Sequence, residues 1–380
     1  MSEEARKKAW DELVAKFASE KAKPYEEWVR AEGLDILDAQ YVRNLRKVPL
    51  KPWTRRGGNA AFLNHDASRH SNDCYIMEIP AGGKLNPHRQ MYEEMVFVLD
   101  GRGSTKVWNN AGKSLTFEWK AGAIFGVPMN CWHQHFNGSG SAPVRYVAVT
   151  NAPPVINLYK NLDFVFNNPF EFTDRFNGEP DYFAAKNDRD MWTIRTNFIP
   201  DAVNIPLAIA HERGAGGQHL RFTLANSSQQ GHLSQFPIQT YKKAHAHGPG
   251  AHVVILSGEG YSLCWNDGLE NPPDRFDWEV GTLIVPRDNV YHQHFNTGPE
   301  PARYLAFRTG SSGVKNSQGV VKCFYSKRIG GHQLDYADES PTFRRMFEEA
   351  LTRHNLAPAM DAAYEKEKET LPPVGAEIPR

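Results

Sequence analysis

The sequence has no excess of charge of either sign. Its 380 residues include 44 Lys+Arg and 44 Asp+Glu, so the formal net charge is zero. A protein without a global field does not attract nucleic acid or an anionic membrane surface by long-range electrostatics. We therefore expect a small-molecule partner, with neither nucleic acid nor a membrane as a ligand.

Cysteines and long apolar runs are also scarce. Cys74, Cys131, Cys264 and Cys323 are scattered, without the close pairs of a zinc knuckle or the density of a disulfide scaffold, so reduced thiols are expected. No apolar run reaches the about 18 residues of a membrane span, and the first residues lack the apolar segment of a secretory signal. These absences lead us to expect a cytoplasmic protein.

What the sequence does contain is an internal repeat. The segment Trp132–Asn137 (WHQHFN) returns 159 residues later as Tyr291–Asn296 (YHQHFN). Further pairs recur in the same order at offsets of 157 or 158 residues: Gly101 and Gly103 with Gly258 and Gly260, Trp108-Asn109 with Trp265-Asn266, and Arg145-Tyr146 with Arg303-Tyr304. A nearly constant offset indicates duplication of one unit.

Each repeat has the composition of strands and turns. Short alternating segments such as Asp73–Ile79 and Val96–Leu99 are separated by Gly, Pro and Asn, a pattern typical of a double-sheet jelly roll. Helical spacing predicts an N-terminal helix from about residue 3 to 21, with an apolar stripe that must cover something, and two closing helices at 341–354 and 360–369. The fold class is therefore all-β, with helical extensions.

The first repeat contains a histidine-rich pattern with regular spacing. Gly82, His88, Gln90, Glu94 and Gly101 are followed by a second part: Gly122, Pro128, His133 and Asn137. His88 and Gln90 lie two apart, Glu94 keeps the same parity, and His133 arrives from a distant strand, so all four side chains can converge inside a barrel. This two-part pattern closely resembles that of the cupin superfamily, where such residues hold a transition metal.

The second repeat offers a different ligand set. His245, His247 and His292 occupy the corresponding positions, whereas Ala251 stands where the glutamate is expected. Three imidazoles leave the ion its full charge, which favours a chelating anionic substrate. The neighbouring His252 faces the other way in a regular strand, but the Gly-Pro-Gly turn before it leaves open an inward rotation as a fourth ligand.

Four further residues are candidates for catalysis. His135 and His294 share parity with His133 and His292, so each is either a proton carrier or substrate contact, or a histidine satisfied by a backbone carbonyl. Arg145 and Arg303 follow in matching strands and either clamp a substrate carboxylate or form pairs at a surface or interface.

Among cupins, the chain most resembles the bicupin ring-cleaving dioxygenases of the gentisate type, on the strength of its length, N-terminal helical arm, two barrels and His-x-His-x-Asn motif. The resemblance implies Fe(II), O2 as co-substrate and cleavage of a gentisate- or salicylate-like hydroxylated aromatic acid. Jelly-roll edges and apolar helical arms lead us to expect a homo-oligomer. In that family the iron lies in the first barrel, whereas the three-histidine set lies in the second barrel here. The alternatives are a Mn(II)-dependent bicupin of the oxalate decarboxylase or oxidase type and a non-catalytic metal- or ligand-binding bicupin.

The predicted organisation follows from the repeat and the resemblance. It comprises an N-terminal helical arm (1–50), a first cupin barrel (51–160), an aromatic-rich connection that packs along the barrels (161–204), a second cupin barrel (205–312) and a C-terminal helical tail (313–380).

Overall fold

A computed structural model describes residues 2–19, 23–63, 66–68, 70–184, 188–268, 273–308 and 321–378. In the first half the strands are β1 (Tyr41–Val42), β2 (Lys51–Trp53), β3 (Gly58–Leu63), β4 (Asp73–Ile79), β5 (Glu94–Asp100), β6 (Arg102–Trp108), β7 (Ser114–Lys120), β8 (Ile124–Val127), β9 (Trp132–Asn137) and β10 (Val144–Thr150). In the second half they are β11 (Thr193–Arg195), β12 (Phe198–Ile199), β13 (Ala208–Ile209), β14 (Gln218–Thr223), β15 (Gln230–Phe236), β16 (His252–Ser257), β17 (Gly260–Trp265), β18 (Asp274–Trp278), β19 (Leu283–Ile284), β20 (Tyr291–Asn296) and β21 (Ala302–Arg308).

The α-helices lie at the ends of the chain and between the repeats. They are α1 (Glu3–Ser19), α2 (Lys23–Ala31), α3 (Ala152–Tyr159), α4 (Leu162–Asn167), α5 (Pro341–Leu351) and α6 (Asp361–Thr370). The predicted closing helices are thus confirmed within a few residues at their ends, and Ser340 accepts a hydrogen bond from the backbone of Thr342 at the start of α5.

Each repeat forms a barrel from one large and one small sheet. In barrel 1 the large sheet has the order β12-β8-β5-β10-β4-β3-β2 and the small one β7-β6-β9. In barrel 2 the corresponding orders are β1-β19-β16-β21-β15-β14-β11, with β13 beside β14, and β18-β17-β20. The two-barrel, mostly β fold with helical extensions is the predicted one.

The large sheets of the two barrels pack against each other. Alternate residues of β5 and β10, such as Phe97 and Val147, share one buried apolar cluster with Leu233, Leu305 and Phe307 of barrel 2. The other faces of the same strands line the barrel interiors, including Tyr146 in barrel 1 and Tyr304 in barrel 2. Side-chain parity therefore separates an inter-barrel face from a cavity face.

The arm and the connection are more closely integrated than their predicted boundaries imply. β1, from the arm, pairs with β19 of barrel 2, and β12, from the connection, pairs with β8 of barrel 1. α1 departs from the expected packing: Trp10, Leu13 and Val14, which form the predicted apolar stripe, are 64%, 41% and 49% exposed.

The repeated Gly-x-Gly pairs have a steric cause. Gly101 and Gly258 adopt φ of +86° and +78°, a conformation that L side chains rarely adopt. A Cβ on Gly103 or Gly260 would collide with the backbone carbonyl of Phe136 or Phe295, respectively. Within each small sheet, β6 can therefore lie this close to β9, and β17 this close to β20, only with glycine at these positions.

Candidate metal centres

Three histidines converge inside barrel 2. His245 and His292 exchange two backbone hydrogen bonds, of 3.1 and 3.0 Å, which hold an irregular segment against β20. The ring centroids of His245 and His247 lie 4.3 and 4.6 Å from that of His292. Each buried ring offers one nitrogen, and these nitrogens all lie within 4.8 Å of one another. The structure thus brings together the three residues that the motif singled out.

Two of these rings are fixed in the form that a metal needs. Nδ1 of His247 lies 2.8 Å from the carbonyl oxygen of Gly248, and Nδ1 of His292 lies 3.2 Å from that of Val290. A carbonyl oxygen only accepts hydrogen bonds, so each Nδ1 carries the proton and each Nε2 keeps its lone pair. Burial lowers the pKa of His292 to about 3 and that of His247 well below 6.5, so both rings are neutral.

His245 is engaged differently. Its Nε2 lies 2.9 Å from Nη2 of Arg213, which also donates through Nη1 to the carbonyl oxygen of Cys323 at 3.1 Å. A guanidinium group only donates, so it occupies the lone pair of His245 Nε2. A metal can bind through Nε2 only if Arg213 withdraws. Three neutral imidazoles fit a divalent transition ion, and Arg213, which no sequence motif indicated, stands beside its position.

The surroundings of this centre are cationic. Arg213 and Arg308 are the charged side chains that lower the pKa values of His247 and His292. Met95 and His252 pair with the equivalent residues Val149 and Phe307, so Ala251 does replace Glu94 structurally. Barrel 2 therefore has no carboxylate at this ligand position.

The open alternative for His252 is wrong in this structure. His252 has the parity of Val254 and Leu256, which belong to the inter-barrel cluster, and its Nδ1 lies 3.5 Å from Nδ2 of Asn72 in barrel 1. The strand is regular from its first residue, so the ring faces away from the three-histidine group.

Barrel 1 holds a second group. One ligand atom each of Glu94, His133 and His135 lies within 4.8 Å of the other two, and all three residues are buried. Nδ1 of His133 lies 3.1 Å from the carbonyl oxygen of Cys131, which leaves Nε2 with its lone pair, and burial lowers the pKa of His133 to about 3. Oε2 of Glu94 accepts a hydrogen bond from Tyr75 at 2.9 Å, while Oε1 has no partner within the described chain. A carboxylate and imidazoles fit a divalent cation.

This set differs from the predicted one of His88, Gln90, Glu94 and His133. His135 joins the closest group because it is the next inward residue of β9 after His133. His88 lies in the irregular segment before β5, its ring centroid 5.5 Å from that of His133 and 5.6 Å from that of Phe166. Nε2 of Gln90 lies 3.5 Å from Oε2 of Glu94. His88 and Gln90 thus border the group.

His135 and His294 are held by the same device in both barrels. Nδ1 of each ring lies 2.7 Å from a hydroxyl oxygen, of Thr105 and Ser262 respectively. These hydroxyls accept hydrogen bonds from Trp119 and Trp278, at 2.8 and 3.1 Å. The expectation of a backbone carbonyl partner is not met at either Nδ1. Because a hydroxyl can both donate and accept a hydrogen bond, it can pair with either tautomer of the ring.

The predicted role of Arg145 and Arg303 as substrate clamps is corrected by side-chain parity. Both residues face the inter-barrel side of their strands. Arg145 pairs with Glu78 at 2.6 Å, and Arg303 donates to Gln235 at 2.8 Å and to the carbonyl oxygen of Ala202 at 3.0 Å. Their guanidinium groups join the large sheets to neighbouring segments, which is the interfacial alternative.

Sequence reasoning missed Arg56. It is 1% exposed and lies in the turn between β2 and β3. Its Nε and Nη2 donate no hydrogen bond to any described residue. Its charge lowers the pKa of His133 and opposes the burial-driven rise in the pKa of Glu94. Arg56 therefore adds a buried cation with two unpartnered guanidinium nitrogens to the barrel 1 cavity, although nothing in the Arg55-Arg56 dipeptide indicates burial.

Two comparisons with known proteins found similarities, one with a family model and one with solved structures. Residues 75–150, in the first barrel, match the family model described as the cupin domain. No curated protein matches the sequence significantly. A deletion mutant of Bacillus subtilis oxalate decarboxylase is similar in structure, with 11% identity, a TM-score of 0.47, and coverage of 72% of this chain and 78% of the other.

A second Bacillus subtilis oxalate decarboxylase structure, a serine-to-alanine mutant, gives 11% identity and a TM-score of 0.48 over the same shares of the two chains. Similarities at this level do not indicate a shared activity. None of the helices in the described part of the chain is both long and apolar enough to cross a membrane.

Proposed function

We propose that the protein is a non-haem Fe(II)-dependent dioxygenase that cleaves the ring of a hydroxylated aromatic acid of the gentisate or salicylate class in barrel 2. The observation that carries this proposal is the convergence of His245, His247 and His292 without a carboxylate ligand. Fe(II) held by these three residues would keep its double positive charge, which favours a chelating anion, and would let electron density pass from the aromatic substrate to O2.

The chain's own side chains have defined tasks in this proposal. Arg213, beside His245 Nε2, leaves that nitrogen for the ion and donates to the substrate carboxylate instead. His294, whose ring centroid lies 5.7 Å from that of His292, is neutral because burial lowers its pKa well below 6.5, and it can accept a hydrogen bond from the substrate phenol. The buried aromatic wall that includes Tyr304 excludes water.

Oxygen uptake by the iron-loaded protein tests the assignment. Gentisate, salicylate and related acids are supplied to the wild type and to matched variants, His245→Gln and His252→Gln. Both remove one buried imidazole, but only His245 belongs to the ligand group. We expect uptake with the wild type and His252→Gln and none with His245→Gln. No uptake with any aromatic acid would refute the dioxygenase assignment.

A second candidate function has support in barrel 1. Glu94 with an unpartnered Oε1, together with buried Arg56, suits Mn(II) and a small carboxylate, as in Mn-dependent bicupins of the oxalate decarboxylase or oxidase type. Formation of CO2 or formate from oxalate by Mn-loaded protein, abolished by Glu94→Gln and retained in His245→Gln, would make barrel 1 the active one.

A further inference from the structure

One wall of the barrel 2 cavity is basic. His219 and Arg221 lie on β14, His232 on β15 and Arg308 on β21, and we call these four residues the basic wall. Arg221 pairs in register with His232, and Arg308 with Gln230, so the four side chains belong to adjacent strands. All have the parity of Ser234 and Tyr304 and thus face the cavity.

Barrel 1 has no such wall at the same register positions. Tyr146 and Tyr304 are equivalent and pair with Met77 and Ser234, respectively, which fixes the alignment of the two sheets. Reading outward from these pairs, the counterparts of His219, Arg221, His232 and Arg308 are Ala60, Phe62, Tyr75 and Thr150. Barrel 2 therefore has two cations and two imidazoles where barrel 1 has neutral side chains. Three of these, Ala60, Phe62 and Tyr75, are mainly apolar.

The repeats differ in acidic groups as well. Gln230 of barrel 2 is the counterpart of the buried Asp73, and Ala251 is that of Glu94. Barrel 2 has thus gained positive charge and lost negative charge at equivalent positions. Such a one-sided difference has no structural benefit on its own, because cations that are partly buried without a counter-charge destabilise a fold.

The cations of the wall lack a counter-charge within the described chain. Arg308 forms no ion pair with any described carboxylate, and its pKa is lowered by burial and by the charges of Arg213 and Arg221. Arg221 donates to the neutral oxygen of Gln230, and the buried Lys242 donates to the hydroxyl of Ser234. The ring centroids of His219 and His232 lie 4.9 Å apart, and burial lowers the pKa of both rings so that they are neutral.

The wall lies close to the three-histidine centre. A row of neighbouring rings joins the two: the ring centroid of His232 lies 5.8 Å from that of Tyr304, that of Tyr304 lies 5.1 Å from that of His294, and that of His294 lies 5.7 Å from that of His292. Arg213 lies next to the metal position, so an anionic group bound there leaves the charges of Arg221 and Arg308 without a counter-charge. A single small molecule can neutralise both positions only if it carries two anionic groups.

We propose that barrel 2 recognises a ligand with two oxyanion groups, one at the three-histidine centre and a second against Arg221 and Arg308. The first contact rests on the proposed function, whereas the second does not require a metal. A small aromatic dicarboxylate has the required chemistry, since a guanidinium group binds carboxylates bidentately. The same donors can bind a phosphate ester, so the experiment separates the two.

Calorimetric titration of the full-length protein, metal-free and metal-loaded, tests the proposal with benzoate, phthalate, isophthalate and phenyl phosphate. We expect at least one dicarboxylate to bind about tenfold or more tightly than benzoate, as expected for one added charge-assisted contact. Tighter binding of phenyl phosphate than of either dicarboxylate would identify the second group as phosphate and overturn the dicarboxylate assignment.

The variants Arg308→Thr and Arg221→Phe install the barrel 1 residue at the same register position. Each should reduce the preference for the dianion to about twofold or less while the affinity for benzoate stays within about twofold. Arg308→Lys, which keeps the charge, should retain part of the preference and guards against a folding defect. The control Arg344→Gln removes an exposed arginine on α5 and should change nothing.

The outcome separates this proposal from the proposed function. Equal affinity for benzoate and all dianions, or a preference that survives in both Arg308→Thr and Arg221→Phe, overturns the second anion site. If the protein fails to bind any metal ion but still prefers the dianion, the second anion site is supported and the dioxygenase assignment is refuted.

Discussion

Arg213 holds the lone pair of a metal ligand, and this contact predicts an unusual effect of removing it. In Arg213→Met the side chain keeps much of its length but loses the donor that lies 2.9 Å from Nε2 of His245. A hydrogen bond from a charged donor contributes about 1.5 to 3 kcal/mol. The wild type must give up this contact to bind an ion through Nε2, and it must also bring a second cation next to the guanidinium group.

Metal affinity should therefore rise in the variant, by about 10- to 100-fold from the hydrogen bond alone. Competition between the protein and a fluorescent chelator for Fe(II) or Mn(II) measures this change under anaerobic conditions. Affinity for benzoate in the metal-loaded variant should fall, because Arg213 is the donor that a carboxylate meets. Arg344→Met, which removes an exposed guanidinium group, is the control. Unchanged or weaker metal binding in Arg213→Met would refute Nε2 of His245 as a ligand atom.

Three other consequences can be measured. Burial raises the pKa of Asp73 to about 7, so its unfolded form releases a proton at lower pH than the folded form and stability falls as pH rises from about 4 to 7; in urea titrations Asp73→Asn should lose up to about 4 kcal/mol of that fall, and a slope equal to that of the wild type would contradict it. Glu94→Gln should remove the Mn(II) electron paramagnetic resonance signal of barrel 1 but not the ion of barrel 2, and loss of both signals would show that the centres are not independent. Arg145→Gln should lower the free energy of unfolding by about 2 kcal/mol and leave turnover intact, because Arg145 pairs with its cross-strand neighbour Glu78 on the face of the sheet away from the cavity; impaired turnover in a stable variant would restore the clamp hypothesis.

The repeat and the strand periodicity were sufficient to predict both barrels. The nearly constant offset of His245, His247 and His292 from their first-repeat counterparts, 157 to 159 residues, also predicted the three-histidine group, because parity on a regular strand decides which side chains face inward. The same parity rule did not predict the orientation of Arg145 and Arg303, because the sequence does not show which face of their strands lines the cavity. Two barrels can bury either face of a strand, and only the packing of the two large sheets shows which face is the cavity.

Contacts between distant segments were beyond the reach of motif spacing. Arg213 and Arg56 precede the histidine motifs in irregular segments, and their positions depend on loop packing rather than on periodicity. The exchange of His88 for His135 has the same origin, since His88 lies outside a regular strand. The residues of the basic wall can be recognised by comparing the two repeats, but that comparison requires the register of both large sheets.

Anomalous diffraction from crystals grown with excess Fe(II) under anaerobic conditions tests the central claim most directly. The account predicts a peak at the iron absorption edge within bonding distance of one nitrogen each of His245, His247 and His292. A full peak beside Glu94 and His133 with none at these three histidines would contradict it.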